Sequence, residues 1–343
     1  LSYLTRHFNI PIFIPELGCP FRCVFCNQRS ITGKKEYPLP DEITNIIETY
    51  LSTIKKNSFI EIGFFGGNFT GIPEGLMERY LAIANKYVKY SKINGIRVST
   101  RPDYINDNKL YLLKKYGVTT IELGVQSLND NVLKVSKRGY EKKDVIIASK
   151  KIKDMGFRLG HQVMIGLPYS DINTEIETAK EIIKIGVDDL RIYPLLVLEG
   201  TELEEMYNNK VYKPLSLEEA ILRTKEFVKI VYKKTNIIRI GLHPSEDLQI
   251  KKFIGPFHPS FRELVMSKLC LDVVYKINES FKSDEIQIII NPKEYNFFIG
   301  YRKENKNFLY KNFKRVKILK EEKIKRGFIV VKNADKTRKF SIV

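Results

Sequence analysis

The chain has 343 residues, is 43% hydrophobic, and carries 58 Lys and Arg against 40 Asp and Glu, a net charge of +18. That hydrophobic share suffices for a full packed core, and four cysteines in this length argue against a disulfide-built scaffold. No run approaches the roughly 18 apolar residues of a membrane span, and the opening LSYLTRHFNIPIF has no signal-peptide layout, so we expect a cytoplasmic protein with no membrane partner.

Six short β-branched or aromatic runs punctuate the first 200 residues: IPIFIPE (10–16), FIEIGFF (59–65), GIRVST (95–100), TTIELGV (119–125), FRLGHQVMIG (157–166) and DDLRIYPLLV (188–197). Amphipathic helical patterns fall between them at 41–56, 74–92, 107–116, 129–153 and 173–185. This alternation predicts a parallel βα series, and right-handed crossovers gather ligands at the strand C-terminal ends. Beyond Gly200 the rhythm changes to a helix at 216–234, a short strand at 237–241 and a helix at 260–277. We expect an α/β protein: a partial (β/α)6 TIM-like barrel over 1–200, a mostly helical extension over 201–280 and a small basic α+β module over 281–343.

The last module holds 17 Lys and Arg against 7 Asp and Glu, interleaved with Tyr295, Phe297, Phe298, Tyr301, Phe308, Tyr310 and Phe313. Cations that track phosphates beside rings that stack on bases would make an RNA-binding surface. The competing reading is that Lys-rich usage runs through the whole chain and the rings fill a core.

Three of the four cysteines, Cys19, Cys23 and Cys26, lie in GCPFRCVFCNQRS just after the first predicted strand. Structural zinc takes four protein ligands, so a zinc reading must recruit Cys270, His7, His161, His243 or His258 from outside the loop. Thiolates are also the ligands of iron–sulfur clusters, and a 4Fe–4S cube held by three cysteines leaves one iron open to a further ligand.

The segment CPFRCVFC, with Phe25 just before the third cysteine, resembles the cluster loop of the radical S-adenosylmethionine (SAM) superfamily. The resemblance implies a 4Fe–4S cluster on Cys19, Cys23 and Cys26, with SAM on the open iron cleaved to a 5'-deoxyadenosyl radical. It also implies an external electron donor such as flavodoxin or ferredoxin. Gly66, Gly67 and the adjoining Asn68 in FFGGNFTG resemble the segment that approaches the methionine part of the cofactor. Gln126 in IELGVQS looks like a ribose contact, and Arg138 in SKRGY like the partner of the cofactor carboxylate. Gln162 in HQVMIGLP stands where coproporphyrinogen oxidase-like members carry an Asp, and Ser99 replaces a glutamate that precedes Thr-Arg-Pro in related branches.

From about Arg97 to Leu269 the sequence is similar to the catalytic subunit of Elongator, a tRNA-modifying enzyme, through STRPDYI, YGVTTIELGVQSLND, SKRGY, DDLRIYPLLVLEGTELEEMYNNKVYKPLS and FHPSFREL. That likeness makes Tyr193 a candidate catalytic residue, and Glu199, Tyr212 and Lys213 candidates on the substrate side. The cysteine spacing is shorter than Elongator's, and nothing after residue 280 resembles its acetyltransferase-like domain. We therefore expect a radical SAM enzyme acting on RNA, with tRNA the leading candidate. Oxidation of a tetrapyrrole or other small molecule is the alternative enzyme reading, and an inactive RNA-binding module the alternative of another class. His161 is expected as a core histidine, Cys270 as a packed thiol, His243 and His258 in turns, and Glu202, Glu204 and Glu205 on a solvated helix face.

Overall fold

The computed structural model describes residues 7–15, 19, 23–26, 36–54, 58–90, 92–242 and 253–343. The predicted His243 turn lies outside them. Strand β1 (His7–Ile14) is followed by helix α1 (Pro40–Thr53), then β2 (Phe59–Gly66), α2 (Glu74–Lys89), β3 (Gly95–Thr100) and α3 (Asp107–Lys115). The series continues with β4 (Val118–Gln126), α4 (Asp130–Val135), α5 (Lys142–Asp154), β5 (Arg158–Ile165), α6 (Ile172–Ile185) and β6 (Asp189–Pro194). The periodic stretch at 129–153 is two helices, because the turn through Ser136–Tyr140 carries Arg138 back toward the strand ends.

These strands pair in parallel in the order β1-β2-β3-β4-β5-β6, and β8 (Asn236–Ile240) adds a seventh along β6. The expected six-stranded count is therefore one short. The short run NIIRI was read as part of an extension, whereas helix α8 (Leu217–Val231) returns the chain to the sheet as one more crossover. Between β6 and α8 lie β7 (Val197–Leu198) and α7 (Glu202–Asn208), and β7 pairs with β9 (Phe253–Ile254). The sheet curls as a half-barrel, with its helices on the outer side.

Alternation along each strand sorts the residues by face. Ile10, Ile12, Ile62, Phe64, Ile96, Val98, Ile121, Leu123, Leu159, Val163, Leu190 and Ile192 are buried against the helices. Their neighbours on the concave side are charged or polar. Arg97 is 1% exposed there, and its guanidinium donates to Glu61 (2.9 Å), Glu122 (2.6 Å) and Asp189 (3.1 Å). Arg191 donates to Glu122 (2.9 and 3.1 Å), and Arg158, at the exposed start of β5, to Asp189 (2.8 and 2.6 Å), so three arginines are shared among three buried carboxylates. Burial works against the charge on Glu61, but its bonds to His7 and Arg97 win and bring its pKa to about 2. Asp189 is likewise brought to about 2, against its burial, by Arg158 and Arg97.

Helix α9 (Phe261–Ser280) is buried on most sides and joins the half-barrel to the last unit. Cys270 lies on it, 0% exposed, and burial raises its thiol pKa, in keeping with a packed residue. The last unit contains β10 (Glu285–Ile290), α10 (Tyr295–Ile299), α11 (Glu304–Asn312), β11 (Arg315–Lys320), β12 (Phe328–Lys332) and β13 (Thr337–Ser341). Its sheet runs β11-β10-β12-β13, with β10 and β11 parallel. The aromatic run corrects the stacking-surface reading: Phe298 (0%) and Phe313 (4%) are buried, Tyr295, Phe297 and Phe308 pack on the core, and only Tyr301 (42%) and Tyr310 (51%) face outward. Among the described residues no helix is long and apolar enough to cross a membrane.

Removing Arg97 takes the shared cation from three buried carboxylates and leaves each with a single basic partner, Arg191, Arg158 or His7; breaking comparable buried pairs costs roughly 3–5 kcal/mol. We predict that Arg97→Met loses about that much stability in urea unfolding at neutral pH, with the gap to the wild type narrowing as acid protonates the under-compensated carboxylates. Because Glu61 and Asp189 have depressed pKa values, their contribution in the wild type is fully present above their ordinary values of 4.5 and 3.8 and is lost as pH falls toward about 2. Urea midpoints measured down that range check both signs.

Candidate functional site

A cavity of about 150 Å3 opens where the C-terminal ends of the first five strands converge. Ten of the twelve positions singled out by sequence border it: Cys19, Cys23, Phe25, Cys26, Gly66, Gly67, Ser99, Gln126, Arg138 and Gln162. Asn68 and Tyr193 do not. Thr100, Arg101 and Gly124 complete the wall; Arg101 and Thr100 belong to the quoted STRPDYI, so their position at a strand end was a signal left unused.

The described part of the cysteine loop is anchored by Val24. Val24 is 1% exposed and packs with Val132, Leu167, Leu195, Val197, Leu203 and Tyr212, apart from the main core. Its amide donates to Ser136 O (3.3 Å) and its carbonyl accepts from Leu203 N (2.8 Å), while Cys26 N donates to Cys23 O (3.0 Å) in a tight turn. Tyr212, read as a substrate-side residue, is spent on this cluster, with its hydroxyl donating to Gly166 O (2.7 Å). Glu199 and Lys213 are exposed.

Arg138 is the strongest electrostatic feature of the cavity. It is 6% exposed and donates to Cys23 Sγ (2.9 Å), Gly124 O (2.6 Å) and Tyr140 Oη (2.9 Å). Burial opposes its charge, yet Tyr140 and Cys23 beside it hold its pKa above the ordinary guanidinium value. A fixed cation against a thiol sulfur suits a thiolate or any anionic ligand nearby.

Gly66 has φ +107°, and a Cβ there would collide with Ile14 O, whose oxygen accepts from Gly67 N (2.8 Å). The β2 end thereby offers bare backbone to the cavity. At Gly124 a Cβ would stand 3.2 Å from Gln126 Nε2 and 3.5 Å from Arg138 Nη2. Gln126 itself takes φ +65° where the β4–β5 register shifts, a conformation uncommon for residues other than glycine. Gln162 Nε2 reaches Glu122 Oε2 (3.1 Å) and Ser99 Oγ (3.5 Å), so the polar floor rests on the buried charge network. Asn68 is 0% exposed behind the wall, where its Oδ1 accepts from Thr100 Oγ1 (2.6 Å) and Arg101 N (3.4 Å). Tyr193 sits one strand beyond Met164 toward the open edge, next to Arg191, and burial raises its pKa.

The donor set fits an iron–sulfur cluster: three thiol-bearing residues share one cavity with a guanidinium, open glycine backbone and polar amides. Among the described residues no group of three His, Cys, Asp or Glu is placed to hold a single metal ion. The described residues among the outside ligands a zinc site would need are engaged elsewhere. His7 binds Glu61 (2.8 Å), His258 Nδ1 accepts from Ser260 N (3.0 Å), and Cys270 is in the core. His161, 1% exposed with its pKa pushed down to about 3 by burial, binds Ser149 Oγ (2.9 Å) as a core histidine. Glu202 pairs with Lys137 (2.6 Å) on the surface.

Comparison with known proteins agrees with this geometry. Residues 14–182 match the family profile described as the Radical SAM superfamily, and residues 187–270 that of the Radical_SAM C-terminal domain. An uncharacterised protein of Methanocaldococcus jannaschii is 32% identical over 66% of this chain and 73% of its own length. The tRNA uridine(34) acetyltransferase of Methanocaldococcus infernus is 41% identical over 62% of this chain and 47% of its own length, and Elongator complex protein 3 of Saccharomyces cerevisiae 26% over 67% and 46%. The chain thus spans about half the length of these last two. Among solved structures, the archaeal Elp3 of M. infernus with an N-terminal deletion superposes with a TM-score of 0.62 and 26% identity, over 80% of this chain and 63% of that one.

Gly124→Val is predicted to push Gln126 and Arg138 out of position and to weaken SAM binding by more than about tenfold. Equilibrium dialysis with the labelled compound reads the loss, and an unchanged melting temperature separates it from misfolding.

Proposed function

This chain belongs to the Radical SAM superfamily, and we propose that it is a radical SAM enzyme that modifies tRNA at a uridine. The observation that carries the reading is the shared cavity of Cys19, Cys23 and Cys26 with Gly66, Gln126, Arg138 and Gln162. The cysteines would hold a 4Fe–4S cluster by three of its irons, with SAM on the fourth. When bound, that pair supplies a carbon-centred radical by one-electron cleavage of the sulfonium.

The chain's own groups have separable tasks. Arg138, fixed by Gly124 O and Tyr140, neutralises negative charge beside Cys23 and is the natural partner for a carboxylate. The backbone at Gly66 and Gly67 lets a ligand lie flat on the β2 end. Gln126, Ser99 and Gln162 offer amide and hydroxyl groups to sugar hydroxyls. Asn68 positions Thr100 and Arg101 from behind. Val24, packed in its apolar cluster, holds the loop against α4 and α7. Tyr193, beside the cavity, would face the substrate.

The substrate class comes from the relatives. One at 41% identity is named a tRNA uridine(34) acetyltransferase, and the match covers 47% of it, so the proposal carries over tRNA and uridine but not acetyl transfer. The high positive charge of the chain supports a polyanionic partner. A flavodoxin or ferredoxin would supply the electron.

Anaerobic reconstitution should load about four iron per chain, and dithionite with SAM should release 5'-deoxyadenosine. Cys23→Ser should abolish both. Nucleoside mass spectrometry of tRNA from a deletion strain should lack one modified uridine. Colourless wild-type protein that leaves SAM intact would defeat the enzyme reading, and an unchanged nucleoside profile the tRNA reading alone.

A further inference from the structure

Arg97 and Arg191 inside the curl, and Arg158 at its exposed lower end, each meet a carboxylate. The row continues one strand outward, where Arg239 of β8 stands in register with Arg191 of β6. Here the pattern breaks. Arg239 lines a second cavity, of about 220 Å3, together with Ile240, Leu242, Phe261, Arg262 and Glu263. Among the described residues neither Arg239 nor Arg262 has a hydrogen-bonded or ion-paired carboxylate, and Glu263, the one acid in the lining, is exposed.

Two further features add positive potential at this place. Arg262 is the second residue of the 20-residue helix α9, whose first residues Phe261–Glu263 line the cavity and whose first turn no side chain caps, so the positive end of its dipole lies at the cavity. Arg326 lies close enough to act on Arg262, and burial together with Arg326 and Arg239 pushes the Arg262 pKa below the ordinary guanidinium value. Glu263, exposed at the rim, offsets only part of this charge, and like charges crowded together are stabilised by an anion that bridges them. A tetrahedral oxyanion with several acceptor oxygens matches two forked donors and a helix start better than a single carboxylate does.

We propose that the cavity between β8 and the start of α9 seats a backbone phosphate of the RNA substrate through Arg239 and Arg262, fixing where the strand crosses the open edge of the half-barrel. This rests on the tRNA reading above. The position suits it: among the described residues β8 is the outermost strand at this side of the seven-stranded sheet, and β6, which carries Tyr193 and pairs Arg191 with Arg239, lies between β8 and the β5 wall of the cysteine-lined cavity. A phosphate held at the edge would leave the neighbouring nucleotide free to reach inward.

The test is fluorescence anisotropy of a labelled, unmodified tRNA transcript titrated with reconstituted protein over a series of KCl concentrations. Arg239→Gln and Arg262→Gln should each weaken binding about tenfold, and the slope of log affinity against log salt should fall by roughly 0.7–0.9 for the lost phosphate contact. Arg262→Lys should retain most of the affinity, and Lys143→Gln, on the exposed start of α5, should bind as the wild type does. Melting curves and iron content of each variant exclude a folding defect. If the wild type binds tRNA and the two Gln variants bind it equally well with the same slope, the phosphate pocket is wrong while the RNA reading stands. If the wild type binds no tRNA at any salt, both fall. Titration with inorganic phosphate separates the sources: phosphate that binds through both arginines while tRNA affinity ignores them would assign the cavity to a free anion and overturn the proposal.

Discussion

The contact on which the molecule turns is that of Arg97 with Glu61, Glu122 and Asp189. A half-barrel cannot fill its concave side with hydrocarbon and still admit a polar ligand. A single unpaired charge there would be ruinous, because burial disfavours every ion that lacks a partner. Alternating Arg and carboxylate residues from neighbouring strands resolves the conflict: each ion is neutralised across the sheet, and the strands are tied at one height. Glu122 then carries the pattern upward through Gln162 to Ser99, so the cavity floor inherits its position from the network below.

Two differently built ends meet above this floor. On one side the strand termini supply glycine backbone and short polar side chains; on the other the cysteine loop is pinned by Val24 between the ends of α4 and α7. Arg138 spans them, bonded to the β4 carbonyl at Gly124 and to Cys23. The same residue therefore fixes loop against sheet and sets the charge of the site. The outer edge departs from this charge balance: among the described residues Arg239 and Arg262 have no hydrogen-bonded carboxylate, in contrast to the compensated row beside them.

Much of this was legible in the sequence because the signals are local. The cysteine spacing, the alternating strands and the strand-end motifs lie within short windows, and ten of the chosen positions do border one cavity. What was missed depends on distance along the chain. Arg97 reads as one residue of a β run, and its partner Asp189 lies 92 residues away, so no window holds both. Asn68 adjoins Gly67, but the chain has left β2 and enters a short 3-10 turn there, which puts the Asn68 side chain behind the wall against Thr100 and Arg101. NIIRI is too short to announce a seventh strand without the helix that returns it to β6. The rings at 295–313 have the composition of a nucleic-acid surface, yet α10 and α11 turn most of them onto α9, since composition does not encode which face is covered.

The central claim is that three thiols in this cavity hold a polynuclear cluster with one corner left for SAM. Electron paramagnetic resonance of the dithionite-reduced, reconstituted protein tests it most directly. The account predicts a signal from one 4Fe–4S cluster whose shape changes when SAM is added. A spectrum that is indifferent to SAM, or one from isolated metal ions, would contradict it.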